Sequence, residues 1–178
     1  MKATGIVRRI DELGRIVVPK EIRRTMRIKE GDPLEIYTDS TGKIVLKKYS
    51  EIGELMPFAD QYCAVLAKST GVPVLIADRD HVVSVCGAPK REFCGRRISD
   101  DLESLMENRE FYSFLDESKK DIFPIEGVDN KANFIAPVVS RGDIIGSVIV
   151  LKGEKAVDKL AEEITRVSSE LLGKYLED

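Results

Sequence analysis

The sequence of 178 residues holds one histidine and only three cysteines, Cys63, Cys86 and Cys94, with no CxxC pair among them. This scarcity excludes a disulfide framework, offers no zinc-ligand spacing, and fits thiols kept reduced in a cytosolic compartment. No apolar run approaches the ~18 residues that a membrane span needs. The opening MKATGIVRR has no apolar core behind its basic residues, so no secretory signal is expected. A cytoplasmic protein with no metal, no cofactor and no membrane partner is the expectation. At 43% hydrophobic and 33% charged residues, the composition is that of folded soluble chains.

The net charge of −3 hides an uneven distribution. Residues 1–50 carry 12 Lys and Arg against 7 Asp and Glu, whereas residues 51–178 carry 16 against 24. An acidic second part repels phosphates, so any contact with nucleic acid falls to the first fifty residues. The basic residues there do not form a solvated run. In ELGRIVVPKEIRR, Glu12 to Arg24, they alternate with residues that need burial, which mounts positive charge on folded backbone.

Local pattern predicts a first module of four short strands and one short helix. Gly5 to Ile10 reads as a strand, Asp11-Glu12-Leu13-Gly14 as a turn, and Arg15 to Val18 as a β-branched strand stopped by Pro19. Proline suits the start of a helix because its missing N–H is not needed there, so a helix is expected over Lys20 to Met26, ended by Glu30-Gly31-Asp32-Pro33. Leu34 to Thr38 and Lys43 to Lys48 form a hairpin about Asp39-Ser40-Thr41-Gly42, with Leu34, Ile36, Ile44 and Leu46 as core. Fifty residues with so few large side chains bury too little surface to stand alone, which asks for a dimer. Two-fold symmetry would also present the same arginines twice along a duplex.

Tyr49 to Glu54 reads as a polar connector. Beyond it, Leu55, Phe58, Ala59, Tyr62 and Leu66 recur at helical spacing and predict a helix ending before Gly71. Val72 to Ala77 and His81 to Val85 read as strands, Ser99 to Arg109 as a helix capped by Ser99, and Ile122 to Ile125 as a short strand. Asn133 to Ser140 and Ile144 to Lys152 form a long hairpin about Arg141-Gly142-Asp143. A final helix is expected over Glu154 to Glu177. Its apolar residues Val157, Leu160, Ala161, Ile164, Val167, Leu171, Leu172 and Tyr175 share one arc, which predicts pairing with another subunit.

Together, TGIVRRIDELGRIVVPKEIRR and GDPLEIYTDSTGKIVLKKY, Thr4 to Tyr49, resemble the AbrB-type swapped-hairpin DNA-binding domain of bacterial transition-state regulators. The resemblance implies that two chains interleave their hairpins into one β-barrel. It also implies that Arg8, Arg15, Arg23 and Arg24 face DNA. The remainder, with its hairpin FIAPVVSRGDIIGSVIVLKG and closing helix, resembles a GAF domain, an α/β/α fold with flanking helices. Asn130, Lys131 and Phe134 are similar to the start of the cyclic-nucleotide signature of such domains, but Val138 stands where acidic residues should follow, so no cyclic nucleotide is expected.

The fold class implied is α+β, with residues 1–50 as a dimeric DNA-binding domain, 51–55 as a linker and 56–178 as a GAF-like regulatory domain. The combination resembles DNA-binding regulators of sporulation-stage transcription, whose terminal helices join two dimers into a tetramer and whose GAF-like domain takes a small-molecule effector of unsettled identity. Double-stranded DNA and further copies of the chain are the expected partners. Arginine suits such a surface because it grips phosphate bidentately and also forks onto guanine. Arg15, beside Gly14, is the leading candidate. The bland alternative places Arg8, Arg9, Arg23, Arg24 and Arg27 in surface ion pairs with Asp11, Glu12 and Glu21.

Two other classes stand beside this one. Cys86 and Cys94, with His81 nearby, could serve a metal, a redox pair or a methionine sulfoxide reductase of the GAF type, although buried apolar cysteines are common. An antitoxin, with an AbrB-like head and a disordered tail around a toxin, is the third. The periodicity of residues 55–178 argues against such a tail. No catalytic residue is assigned.

Overall fold

A computed structural model describes residues 5–54 and 56–177. The chain divides into two compact units, Met1–Tyr49 and Ser50–Asp178. Among the described residues no helix is long and apolar enough to cross a membrane.

In the first unit, α1 spans Lys20–Thr25, β1 Leu34–Thr38 and β2 Ile44–Lys48. Pro19 precedes α1, and the helix closes earlier than its sequence suggests. Arg27 adopts φ of 48°, the left-handed geometry usually given to glycine, while Ile28 N–H donates to Arg23 O at 2.8 Å. A Schellman-type end at Met26 and Arg27 therefore replaces the expected stop at Glu30-Gly31. Strands β1 and β2 pair antiparallel with Ile36 opposite Leu46.

The expected strands Gly5 to Ile10 and Arg15 to Val18 have no ladder among the described residues. Only their turn is closed, by Asp11 N–H to Arg15 O at 3.0 Å and Gly14 N–H to Asp11 O at 3.0 Å. A strand needs a neighbour for its amides and carbonyls, and the described residues of the single chain supply none to these segments. The expected core is likewise uncovered. Leu34 and Leu46 are half-buried, while Ile36 and Ile44 are exposed, and among described residues 5–49 Pro19 alone is buried.

In the second unit the supposed connector is helical: α2 spans Glu51–Glu54 and sends Ile52 into the core. Helix α3, Met56–Thr70, follows the expected periodicity; Leu55, placed on it by the sequence, lies outside the described residues. Then come β3 Val74–Ala77, β4 Val82–Cys86, α4 Lys90–Phe93, α5 Asp100–Glu107, β5 Tyr112–Ser113, β6 Ala132–Ser140, β7 Asp143–Leu151 and α6 Lys159–Tyr175. The five strands form one antiparallel sheet in the order β4-β3-β7-β6-β5. The expected strand at Ile122 to Ile125 is reduced to one bridge, Ile98 to Ile125.

Both faces of this sheet are covered. Leu75, Ala77, Ile149 and Leu151 point to a core shared with Leu102, Leu105 and Met106 of α5. Their neighbours Val74, Ile76, Val148 and Val150 point to a second core with α2, α3 and α6. Period-two alternation between two buried faces explains why these strands read as nearly continuous apolar runs. Ser99 caps α5 as expected, its Oγ accepting from Leu102 N–H at 3.2 Å. Helix α6 begins later than its sequence pattern because the Asp158 carboxylate accepts from the N–H groups of Leu160 and Ala161.

Helix α6 divides its apolar arc between the core and solvent. Ala161, Thr165, Ser168, Ser169, Leu172 and Gly173 pack inward, while Leu160, Val167 and Leu171 are 68%, 60% and 57% exposed. Small residues face the sheet because the helix lies close to it. An added Cβ at Gly173 would collide with the Val139 carbonyl.

Candidate nucleic-acid interface

The basic surface of the first unit is built on Asp11. Its Oδ1 accepts from Leu13 N–H at 3.0 Å and Arg15 N–H at 2.8 Å, and its Oδ2 accepts from Arg15 Nε at 2.7 Å. Gly14 supplies the positive φ of 77° that lets the chain reverse within four residues. The backbone bond from Arg15, then the side-chain bond from Arg15, hold the Asp11 carboxyl below the usual carboxylate range. Arg15 is therefore aimed by the turn that precedes it. Asp11 takes as its ion-pair partner Arg15, which the bland reading left out, yet the Arg15 side chain remains 71% exposed.

Arg23 and Arg24 occupy the last turn of α1, and both are exposed, as is Arg8. Cationic side chains there complement the negative end of the helix while their guanidinium groups stay in solvent. The four candidate arginines thus lie on one unit, all accessible, on a turn, a short helix and an extended segment. Arg27 acts through its backbone, which ends α1 and whose carbonyl accepts from Lys48 Nζ at 3.1 Å. Lys48 also pairs with Asp32 at 3.5 Å, tying the α1 exit to β2.

A second copy of the basic turn is not evident from local pattern alone. DSTGK repeats the arrangement of DELGR, with Asp39 N–H donating to Lys43 O at 3.1 Å and Asp39 Oδ1 accepting from Thr41 and Lys43 N–H at 2.9 Å each. Lys43 pairs with Asp39 at 3.5 Å, as Arg15 does with Asp11. The signal that could have revealed it is Asp-x-x-Gly followed by a cation, occurring twice.

The other expected constellation is rearranged. His81 is exposed just before β4, bridged across to Arg97, and Cys94 is exposed, whereas Cys86 packs against the core cluster that includes α3. Among the described residues no three His, Cys, Asp or Glu side chains are grouped as a metal would require.

Comparison with known proteins agrees with this division. Residues 54–177 match the family model described as stage V sporulation protein T C-terminal, transcription factor, and residues 7–54 match antidote-toxin recognition MazE, bacterial antitoxin. The chain is 43% identical over 179 residues to stage V sporulation protein T of Bacillus subtilis (strain 168), covering 99% of each. Its first part is 65% identical over 49 residues to the transition state regulatory protein AbrB of the same organism, covering 28% of this chain and 50% of AbrB. The GAF domain/HD domain protein from Geobacter sulfurreducens is similar in structure, with a TM-score of 0.50 and 15% identity, over 72% of this chain and 95% of that one. That likeness concerns the fold, and the second unit is GAF-like.

Proposed function

This chain belongs to the stage V sporulation protein T family, and we propose that it is a transcription regulator that binds double-stranded DNA as interleaved dimers joined into a tetramer. An AbrB-like DNA-binding domain followed by a GAF-like domain is the architecture of such a regulator of sporulation-stage genes. We assign residues 1–50 to DNA binding and dimerisation, 51–55 to the join and 56–178 to regulation, within a cytoplasmic protein without catalytic residues.

The observation that carries the dimer is the bareness of the first unit. Val7, Ile10, Leu13, Ile16, Val17, Ile36 and Ile44 are all exposed, on segments whose backbone has no ladder or pairs on one side only. Water would surround most of the large apolar side chains of this unit, a state that burial at about 25 cal/mol per Å² strongly opposes. A second copy offering the same unpaired strands satisfies both needs, backbone and side chain, and leaves Arg8, Arg15, Arg23 and Arg24 outward.

Helix α6 supports the tetramer. Leu160, Ile164, Val167 and Leu171 follow one another at intervals of four, three and four residues, the spacing of a coiled-coil seam, and three of them are exposed. Joining two DNA-binding dimers raises the effective concentration of the second contact, so weakly specific heads gain avidity on spaced sites. Sedimentation of the full chain tests the assembly, and a gel shift over a range of salt tests the interface. A dimer at all concentrations would refute the α6 role; binding insensitive to salt would refute the arginine role. A small-molecule effector of the GAF-like unit completes the proposal, tested by mass spectrometry of the purified protein under native conditions.

A further inference from the structure

Cys86, grouped with Cys94 by sequence, shares a core cluster with Cys63 instead. Helix α3 carries Asp60 and Cys63 one turn apart, and β4 carries Ser84 and Cys86 on one face of the sheet. These four residues line the seam between α3 and the β3–β4 pair. Ser84 Oγ donates to Asp60 Oδ1 at 2.5 Å, and Cys86 Sγ donates to the Asp60 main-chain carbonyl at 3.8 Å. Cys63 Sγ donates to Val74 O at 3.2 Å, and Val74 is the residue directly opposite Cys86 across the β3–β4 ladder.

The two thiols differ in the way that a peroxide-reactive pair requires. Cys63 is fully buried; burial pushes its thiol up, and the neighbouring Cys86 sulfur pushes it further. Cys86 is half-buried, and Lys90 Nζ stands 3.0 Å from Oδ2 of Asp60, the residue whose carbonyl accepts from Cys86. The more accessible Cys86 sulfur is the one a peroxide reaches, while Cys63 waits as a protonated thiol.

We propose that Cys86 and Cys63 form a hydroperoxide-oxidised, reversible disulfide that links β4 to α3. The Cys86 thiolate attacks the distal oxygen of a hydroperoxide, the O–O bond breaks, and the departing oxygen takes a proton to leave as alcohol or water. Cys86 is then a sulfenic acid. The Cys63 sulfur attacks the Cys86 sulfur, an S–S bond forms as the S–O bond breaks, and the hydroxyl leaves as water with the Cys63 proton. In sum, two thiols and one hydroperoxide become one disulfide, one alcohol or water, and one water. The link bears on assembly because α3 also holds α6: Tyr62 hydroxyl donates to Ser168 O at 2.6 Å, and the Phe58 ring stacks on Tyr175 with centroids 4.0 Å apart.

The test uses full-length protein with Cys94→Ser, titrated with hydrogen peroxide. Free thiols should fall from two per chain to none, non-reducing peptide mass spectrometry should find residue 63 joined to residue 86, and dithiothreitol should restore both thiols. In the chain with all three cysteines the same link should form. Cys63→Ser should instead accumulate a sulfenic acid on Cys86 that dimedone traps, with Cys63→Ala serving if the serine variant does not fold. Thiols that persist under tenfold excess peroxide, a link between residues 86 and 94, or sulfinic acid on Cys86 without a link would each overturn the proposal.

Discussion

Asp11 and Asp39 hold two turns of the same construction: each receives a side-chain-to-backbone bond from the residue four positions on, at 2.8 and 2.9 Å, and each pairs with the cation of that residue. Gly14 and Gly42 take nearly the same positive φ, 77° and 79°, at equivalent positions. The first turn presents Arg15 and the second Lys43. One construction is thus used twice to hold a cation in solvent while its carboxylate partner stays engaged with backbone.

Arg15→Ala should weaken DNA binding in a gel shift by more than tenfold, with the circular dichroism spectrum unchanged. A change smaller than twofold in folded protein would remove Arg15 from the interface. Arg15→Lys should fall between the two, because lysine keeps the charge but loses the bidentate fork.

Binding should weaken steeply with salt. Four arginines per chain give eight in a dimer, and counterion release predicts a slope of about −7 in log K against log salt concentration. Removing Arg23 and Arg24 together should flatten that slope, measured by fluorescence anisotropy on a labelled duplex.

The two turn carboxylates should titrate low. Backbone bonds from Arg15 and Lys43 lower the Asp11 and Asp39 carboxyl groups below their ordinary value of 3.8. A group whose folded pKa is depressed contributes stability above its unfolded pKa and loses it as pH falls through the folded value. Both turns should therefore hold at neutral pH and loosen only below about pH 4. Carboxyl carbon shifts followed by NMR should show midpoints under 3.8 for both residues, and Asp11→Asn should abolish the low-pH transition at the first turn alone.

Gly173→Ala should destabilise the second unit by about 1–3 kcal/mol, the usual cost of overpacking a close contact. The added methyl would meet the Val139 carbonyl, forcing α6 away from β6. Chemical denaturation should show a lower midpoint, and a value within error of the parent would mean that the helix shifts freely.

Leu171→Glu should leave the fold intact and shift the sedimenting species from tetramer towards dimer. Leu171 is exposed in the single chain, so a charge costs little there and is felt only where another helix packs on it. Leu172→Glu, directed into the core, should instead unfold the unit.

Local pattern was a good guide where a segment carried its own signal. The β6–β7 hairpin was legible because alternating residues flank Arg141-Gly142, whose positive φ values close the turn. Helix α5 was legible from Ser99, which caps it. The short α4 and β5 were missed, since four and two residues are too few to show a period. The apolar arc of α6 was legible, but which part of it faces the sheet was not. Ser168, Ser169 and Gly173 lie inward beside Ala161 and Leu172, because only small side chains permit the close approach to β6. That Cys63 and Cys86 share one core cluster had no local signal, because it follows only from the packing of α3 on the β3–β4 pair.

By itself the sequence determined the charge division, the turn and helix that carry the candidate arginines, and the two-part organisation, because these depend on residue type and near neighbours. The tertiary structure alone decided which apolar residues remain bare. Ile36 and Ile44 look like core in a pattern of alternating residues, yet among the described residues they stay 67% and 68% exposed. Burial is a property of what packs against a residue, and for the first unit the single chain does not supply it.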